Sequence, residues 1–280
     1  MSLNLTLPVG GSATPAEQAL RAGAPQAALN QLQDQVRAKP ADAKLRTFLF
    51  QLLAVLGQWD RALNQLQVVG ELDPSATPMV QTYRETIPCE RLREQVFAGQ
   101  KVPMLFGEPE AWVALLIEAL LRDGRGEHEA AQQLRDQAFD QAPATSGEVT
   151  TSEGTQPFEW LADADMRLGP VIEAIINGRY SWVPVHRLAE LRIEPPADLR
   201  DRVWMPAQLL FTNGGESVAF IPTRYAGTPL SDGLLALARR TDWAEPRPGL
   251  TVGLGQRMWA TDAGDLALMD VRQLRFNAAA

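Results

Sequence analysis

The hexapeptide ALNQLQ stands at residues 28–33 and again at residues 62–67, an interval of 34 residues. The flanks repeat at the same interval, with Gly23 and Gly57 ahead of the hexapeptide and Pro40 and Pro74 behind it. A glycine supplies the left-handed residue that closes a helix, and a proline cannot continue one. Each copy therefore reads as a turn followed by one helix, with the small Ala28 or Ala62 where two helices touch. Three periods on from Ala28, AAQQLRDQ at 130–137 echoes ALNQLQDQ at 28–35, although its Gly126 and Pro143 have slipped by one residue. Between the second and third copies, Pro88 interrupts TPMVQTYRETIPCERLREQVFAGQKVP, and two shorter, degenerate helices are expected there.

This period, with glycine at the turn, alanine at the helix contact and proline at the end, resembles the tetratricopeptide repeat. Trp59 and Leu66 add bulky positions to the second copy. The expectation is a helical-hairpin array over residues 16–143, with Ala28, Ala62 and Ala130 at close contacts, preceded by a disordered N-terminus at 1–15.

A chain of 280 residues, 45% hydrophobic, is long enough for two domains, each with its own core. The N-terminus lacks the basic stretch of a secretory signal. The longest apolar run, AWVALLIEALL, is broken by Glu118 and is too short to span a bilayer. A soluble cytoplasmic protein with no membrane partner is expected. The single cysteine, Cys89, excludes an intramolecular disulfide framework. The net charge of −8 is evenly spread, with 13 basic and 17 acidic side chains in each half. No concentrated basic surface offers the counterion release that drives nucleic-acid binding, so no nucleic-acid partner is expected. Arginine outnumbers lysine 23 to 3, a preference open to two readings, bidentate carboxylate recognition or biased base composition.

Helical patterning runs to about Pro143. The stretch ATSGEVTTSEGTQP, residues 144–157, is small and polar and reads as a linker. From Phe158 to about residue 276 the pattern changes to short β-branched and aromatic runs, so the fold class is α+β: a tetratricopeptide-like helical array followed by a mainly-β domain. Two hairpins are expected, LLFTNGGESVAFI turning at Asn213–Gly215 and RMWATDAGDLALMDV turning at Asp262–Gly264. SDGLLALARRTDW reads as one helix capped by Ser231 or Asp232. The segment AWVALLIEALL is apolar on every face, which demands burial on every face. The C-terminal domain folding back is the expected cover.

Chemistry is sparse. His128 and His186 lack neighbouring soft ligands, and no metal site is expected. Cys89 has no nominated base, and Gly253 and Gly255 stand alone with Met258 where a dinucleotide site wants a third glycine, so no catalytic residue and no cofactor are assigned. The alternative to a binding protein is a hydrolase-like enzyme using Asp163, Asp165 and Asp270 as an acid and base set. Pairing of Asp163 and Asp165 with Arg167 or Arg202 is the competing explanation.

Taken together, the segments GQWDRALNQLQVVGELDP, YRETIPCERLREQVFAG, FEWLADADMRLGPVIEAIINGRYSWVP, PADLRDRVWMPAQL, PTRYAGT and GLGQRMWATDAGDLALMDVRQLRF resemble the ImpE family, also called TagJ, over nearly the whole chain. The resemblance implies a noncatalytic cytoplasmic accessory protein of a bacterial type VI secretion system. Its implied partner is the small subunit of the contractile sheath, bound through a helix near that subunit's N-terminus, with the sheath-recycling AAA+ ATPase as a neighbouring component. No residue-level motif comes with the resemblance. From the residues themselves, Arg46, Phe50 and Leu53 on the second repeat are the expected contacts, because Phe48, Phe50, Leu52 and Leu53 cannot all face inward with Trp59. Arg224 and Tyr225 are the alternative in the C-terminal domain, and the acidic turn at 262–265 is expected to lie outside the partner surface.

Overall fold

The computed structural model describes residues 13–277. The expectation of a disordered segment at 1–15 falls mainly outside those residues, while Pro15 already opens the first helix. The helical part comprises α1 (Pro15–Arg21), α2 (Pro25–Ala38), α3 (Ala43–Val55), α4 (Trp59–Leu72), α5 (Thr77–Phe97), α6 (Ala111–Gly124) and α7 (His128–Gln141), with a short strand β1 (Met104–Leu105) before α6. Local chemistry sets the starts. Thr14 and Glu17 form a reciprocal capping box, Pro25 occupies the first turn of α2, and the Asp42 carboxylate accepts from Lys44 and Leu45.

Gly23, Gly57 and Gly126 have φ of 76°, 65° and 79°, the left-handed conformation that glycine adopts without penalty. Five residues after each stand Ala28, Ala62 and Ala131, all fully buried. The third contact is therefore Ala131 and not Ala130, which is half-buried. The register follows the glycine, and the one-residue slip of Gly126 carries the alanine with it.

The frame around Pro88 also differs from expectation. It forms one helix of 21 residues, with Pro88 inside it. An interior proline costs about 3 kcal/mol, and the packing of Val80, Tyr83, Ile87, Cys89 and Val96 into the core offsets that loss.

The remaining elements are β2 (Gly147–Thr151), β3 (Gly154–Phe158), β4 (Leu161–Asp163), β5 (Val171–Ile176), β6 (Arg179–Pro184), β7 (Leu188–Ile193), β8 (Trp204–Phe211), β9 (Glu216–Pro222), α8 (Gly233–Ala236), β10 (Thr241–Arg247), β11 (Leu250–Gly255), β12 (Met258–Thr261), β13 (Gly264–Ala267) and β14 (Val271–Phe276). Nine strands form one sheet in the order β1-β6-β5-β9-β8-β7-β14-β2-β3, with β10-β11 and β13-β12-β4 as smaller sheets. Both expected hairpins are present. The expected linker is not a linker: residues 147–158 are the hairpin β2-β3, which pairs through β2 to β14 and buries Val149. Its polar residues mark the exposed side of an edge hairpin. The expected helix at 231–243 is cut to α8, capped by Asp232. Ala238 takes φ of 49°, its N–H and that of Arg239 bond back to Leu235 and Leu234, and β10 begins at Thr241.

One face of the large sheet packs on the helices. A single hydrophobic core joins Leu49, Phe50, Leu52, Leu53, Tyr83 and Trp112 to Val171, Trp182, Val203 and Trp204. The expected fold-back of the C-terminal domain is thus present, but its deepest contact is α3, in which seven consecutive residues from Leu49 to Val55 are buried. A second core lies on the other sheet face, around Ile172, Val183, Leu191, Met205 and Trp259.

Candidate functional site

The helix joint is closed by aromatic contacts. Phe50 lies 5.4 Å from Tyr83, Tyr83 lies 5.5 Å from Trp204, and Trp204 lies 5.8 Å from Trp59, centroid to centroid. In repeat arrays of this kind the first helix of each pair lines the concave binding surface. Here α3 and α5 carry that role, and the sheet domain covers them.

Behind the aromatics runs a buried ionic chain. Arg93 on α5 donates to both Glu173 oxygens on β5, Nε to Oε1 at 2.6 Å and Nη2 to Oε2 at 3.0 Å. Arg257, between β11 and β12, bridges Glu173 to Asp163 and also donates to Pro222 O at 2.9 Å. Tyr180 donates its hydroxyl to Glu173 at 2.5 Å, and Trp204 donates its indole N–H to Glu90 at 2.8 Å. Burial alone would raise the Glu173 carboxyl, but Arg93 and Arg257 more than offset it and hold it at about 2. At Asp163, burial prevails over the shared Arg257, with Asp165 and Glu173 adding repulsion, and its carboxyl is pushed up to about 7. Asp165 is claimed by Arg167, at 2.8 and 2.5 Å, and by the Gly253 N–H at 3.1 Å. Of the two arginines named for these acids, Arg167 takes part and Arg202 does not. Asp270 is exposed and lines a separate polar cleft of about 430 Å³ with Glu153 and Asp265. The three carboxylates named for a hydrolytic alternative are not assembled in one open site.

The expected contact residues are placed mainly inside. Phe50 and Leu53 are in the shared core. Arg46 is half-buried, donating to Pro40 O at 3.0 Å and to Gln65 Oε1 at 2.9 Å, which ties α3 to α4. Arg224 is buried, its Nη1 donating to Val55 O and Ala236 O at 2.6 and 2.7 Å. Burial lowers its guanidinium to about 10, with Glu90 opposing. The Tyr225 hydroxyl donates to Met258 O and accepts from its N–H. All except Arg46 are therefore joint residues with little surface to offer a partner.

Cys89 is buried, and burial together with Glu90 pushes its thiol up to about 11, away from nucleophilic character. His128 sits by Asp123, and His186 by Glu110. Among the described residues no group of three or more His, Cys, Asp or Glu is placed to hold a metal ion. Among the described residues, too, no helix is long and apolar enough to cross a membrane.

Two open apolar features stand out among the described residues: a cleft of about 480 Å³ beside Pro88, Val102 and Met104, and a groove at the junction of α7 with the small sheet. The groove, of about 340 Å³, is lined by Phe139, Pro143, Trp160, Leu161, Met166 and Pro170, with Asp163 and neighbouring small residues. Trp160 is 40% exposed there. Nothing in the local sequence separates Trp160 from Trp182, Trp204 and Trp259, which are fully buried. Its setting after a strand-terminating Pro157-Phe158-Glu159 and before the three-residue β4 is what leaves it outside.

Comparison with known proteins follows this architecture. The tetratricopeptide repeat profile matches residues 19–84, and the profile described as ImpE protein matches residues 155–275. A crystal structure of a protein from Vibrio parahaemolyticus superposes with a TM-score of 0.84 at 26% identity, covering 94% of this chain and 98% of that one. The type VI secretion system accessory component TagJ of Pseudomonas aeruginosa is 55% identical over 268 residues, 95% of this chain and 92% of the relative. Identity of that order over 95% of the chain places it in the ImpE/TagJ family of type VI secretion accessory components.

Proposed function

We propose that the chain is a noncatalytic, cytoplasmic adaptor that binds the small contractile-sheath subunit, through a helix near that subunit's N-terminus, and so modulates sheath assembly or disassembly beside the AAA+ ATPase that recycles the sheath. The observation that carries this reading is the 55% identity to an accessory component over both domains. The geometry supports a binding role in kind. The buried carboxylates Asp163, Asp165 and Glu173 are each paired with arginine within the chain, and the carboxylates named for an enzyme are divided between those arginine partners and a separate surface cleft. The concave face of the array is filled by the chain's own sheet, so a partner helix docks on the outside of the assembled molecule. The test is titration calorimetry of the full chain with the purified small sheath subunit of the same bacterium, in intact form and with its N-terminal helix removed. Binding by the intact subunit only is expected. Absence of binding by the intact subunit, or equal binding by the truncated one, overturns the proposal.

A further inference from the structure

The groove beside Trp160 combines three properties in one place. It is concave and mainly apolar, its floor and walls coming from Phe139, Pro143, Leu161, Met166 and Pro170. It holds a large aromatic side chain at 40% exposure, and aromatic anchors of this kind dominate binding energy at protein interfaces. Its volume of about 340 Å³ falls in the range of about 300–1,000 Å³ typical of formed binding clefts.

The exposed ionisable residues next in sequence to its lining are acidic, and Glu159 N–H donates to Asp262 Oδ1 at 2.7 Å. Asp140 follows Phe139 on α7, Glu159 precedes Trp160, and Asp262 stands two residues beyond Ala260, another lining residue; all three acids are exposed. No lysine or arginine lines the groove. The nearest arginine in sequence, Arg167, is engaged by Asp165 and stacks 4.6 Å over the Phe97 ring. An apolar groove with exposed acids on the segments that form it fits an amphipathic helix whose apolar anchors, three and four residues apart, are flanked by basic side chains.

On the reading that the chain binds a helix of the small sheath subunit, we infer that this groove is where the helix docks, with Trp160 as its anchor and Asp140, Glu159 and Asp262 facing lysine or arginine side chains on its flanks. The site sits at the junction of the array and the sheet domain and reaches the edge of the acidic turn at 262–265, which the sequence alone placed outside the partner surface. The two walls face each other only when the two domains are docked: Phe139 and Pro143 come from the end of the array, while Trp160, Met166 and Pro170 come from the sheet domain. The groove is thus formed by the assembled chain only.

The experiment uses the full chain and the purified small sheath subunit in calorimetric titrations at 50 and 500 mM NaCl. Trp160→Ala is expected to weaken binding at least tenfold at both salt concentrations. The double substitution Asp140→Lys with Glu159→Lys is expected to weaken it about fivefold at 50 mM and to differ little from wild type at 500 mM, because exposed charges are screened beyond a Debye length. The two acids lie on the surface, so the double variant keeps the test sound should Trp160→Ala disturb folding. Wild-type affinity in either variant at 50 mM overturns the groove while leaving the sheath reading in place. No binding by the wild-type chain overturns both.

Discussion

Arg224 Nη1 donates to Val55 O at 2.6 Å across 169 residues of sequence, and the same nitrogen donates to Ala236 O at 2.7 Å. Val55 ends α3 and Ala236 ends α8. One buried guanidinium therefore satisfies terminal carbonyls of two helices from different domains, with its charge at the negative ends of both.

Arg224→Ala removes both bonds and leaves two buried acceptors without donors. Each hydrogen bond to a charged group is worth about 1.5–3 kcal/mol, so a loss of about 3 kcal/mol or more in urea unfolding is expected. A loss below about 1 kcal/mol would mean that water replaces the guanidinium at no cost.

The alanine register gives a paired test. Ala131→Leu is expected to overpack a helix contact and cost about 1–3 kcal/mol, as is Ala62→Leu. Ala130→Leu, at a half-buried position, is expected to stay within about 0.5 kcal/mol of wild type. The reverse order in thermal melts would return the contact to Ala130 and break the register set by the turn glycines.

Acid unfolding reports on Glu173. Its folded carboxyl sits near 2, below the ordinary glutamate value of 4.5, so its contribution is present above pH 4.5 and lost as pH falls toward 2, amounting to about 3 kcal/mol. Asp163 has the opposite sign. Its folded value near 7 lies above the ordinary aspartate value of 3.8, so it adds stability as pH falls from 7 toward 4 and nothing further below that. Stability measured in urea is thus expected to fall steeply below pH 4.5 in the wild type. Asp163→Asn should remove the gain between pH 7 and 4 and leave the acid limb in place. An acid limb unchanged in Glu173→Gln would show that Glu173 does not supply it.

The array was legible because its signals are local: a turn glycine, an alanine five residues later and a terminal proline repeat at a period. Hairpins with Asn-Gly-Gly or Asp-Ala-Gly turns were legible for the same reason. The joint was not, because its partners lie far apart in sequence. Arg93, Glu173 and Arg257 each look like surface charges alone. One cue was present: Glu173 interrupts VIEAII, a strand otherwise apolar on both faces, and a carboxylate there needs a buried partner. The run FLFQLLAV in α3 was a second cue. Its apolar content on every side demands the same cover as α6, although the residues beside Trp59 suggest a spare contact surface. Trp160 had no local mark to distinguish its exposure from the burial of Trp182 or Trp204.

Hydrogen exchange by mass spectrometry, comparing the free chain with the chain saturated by the small sheath subunit, tests the central claim that the array's concave face is permanently filled by the sheet domain. The expected result is strong protection of residues 43–55 and 80–96 in the free chain, unchanged on binding, with new protection confined to 139–144 and 159–170. New protection in 43–55 accompanied by faster exchange in 199–225 would show the sheet domain swinging away to admit the partner, and would contradict the account.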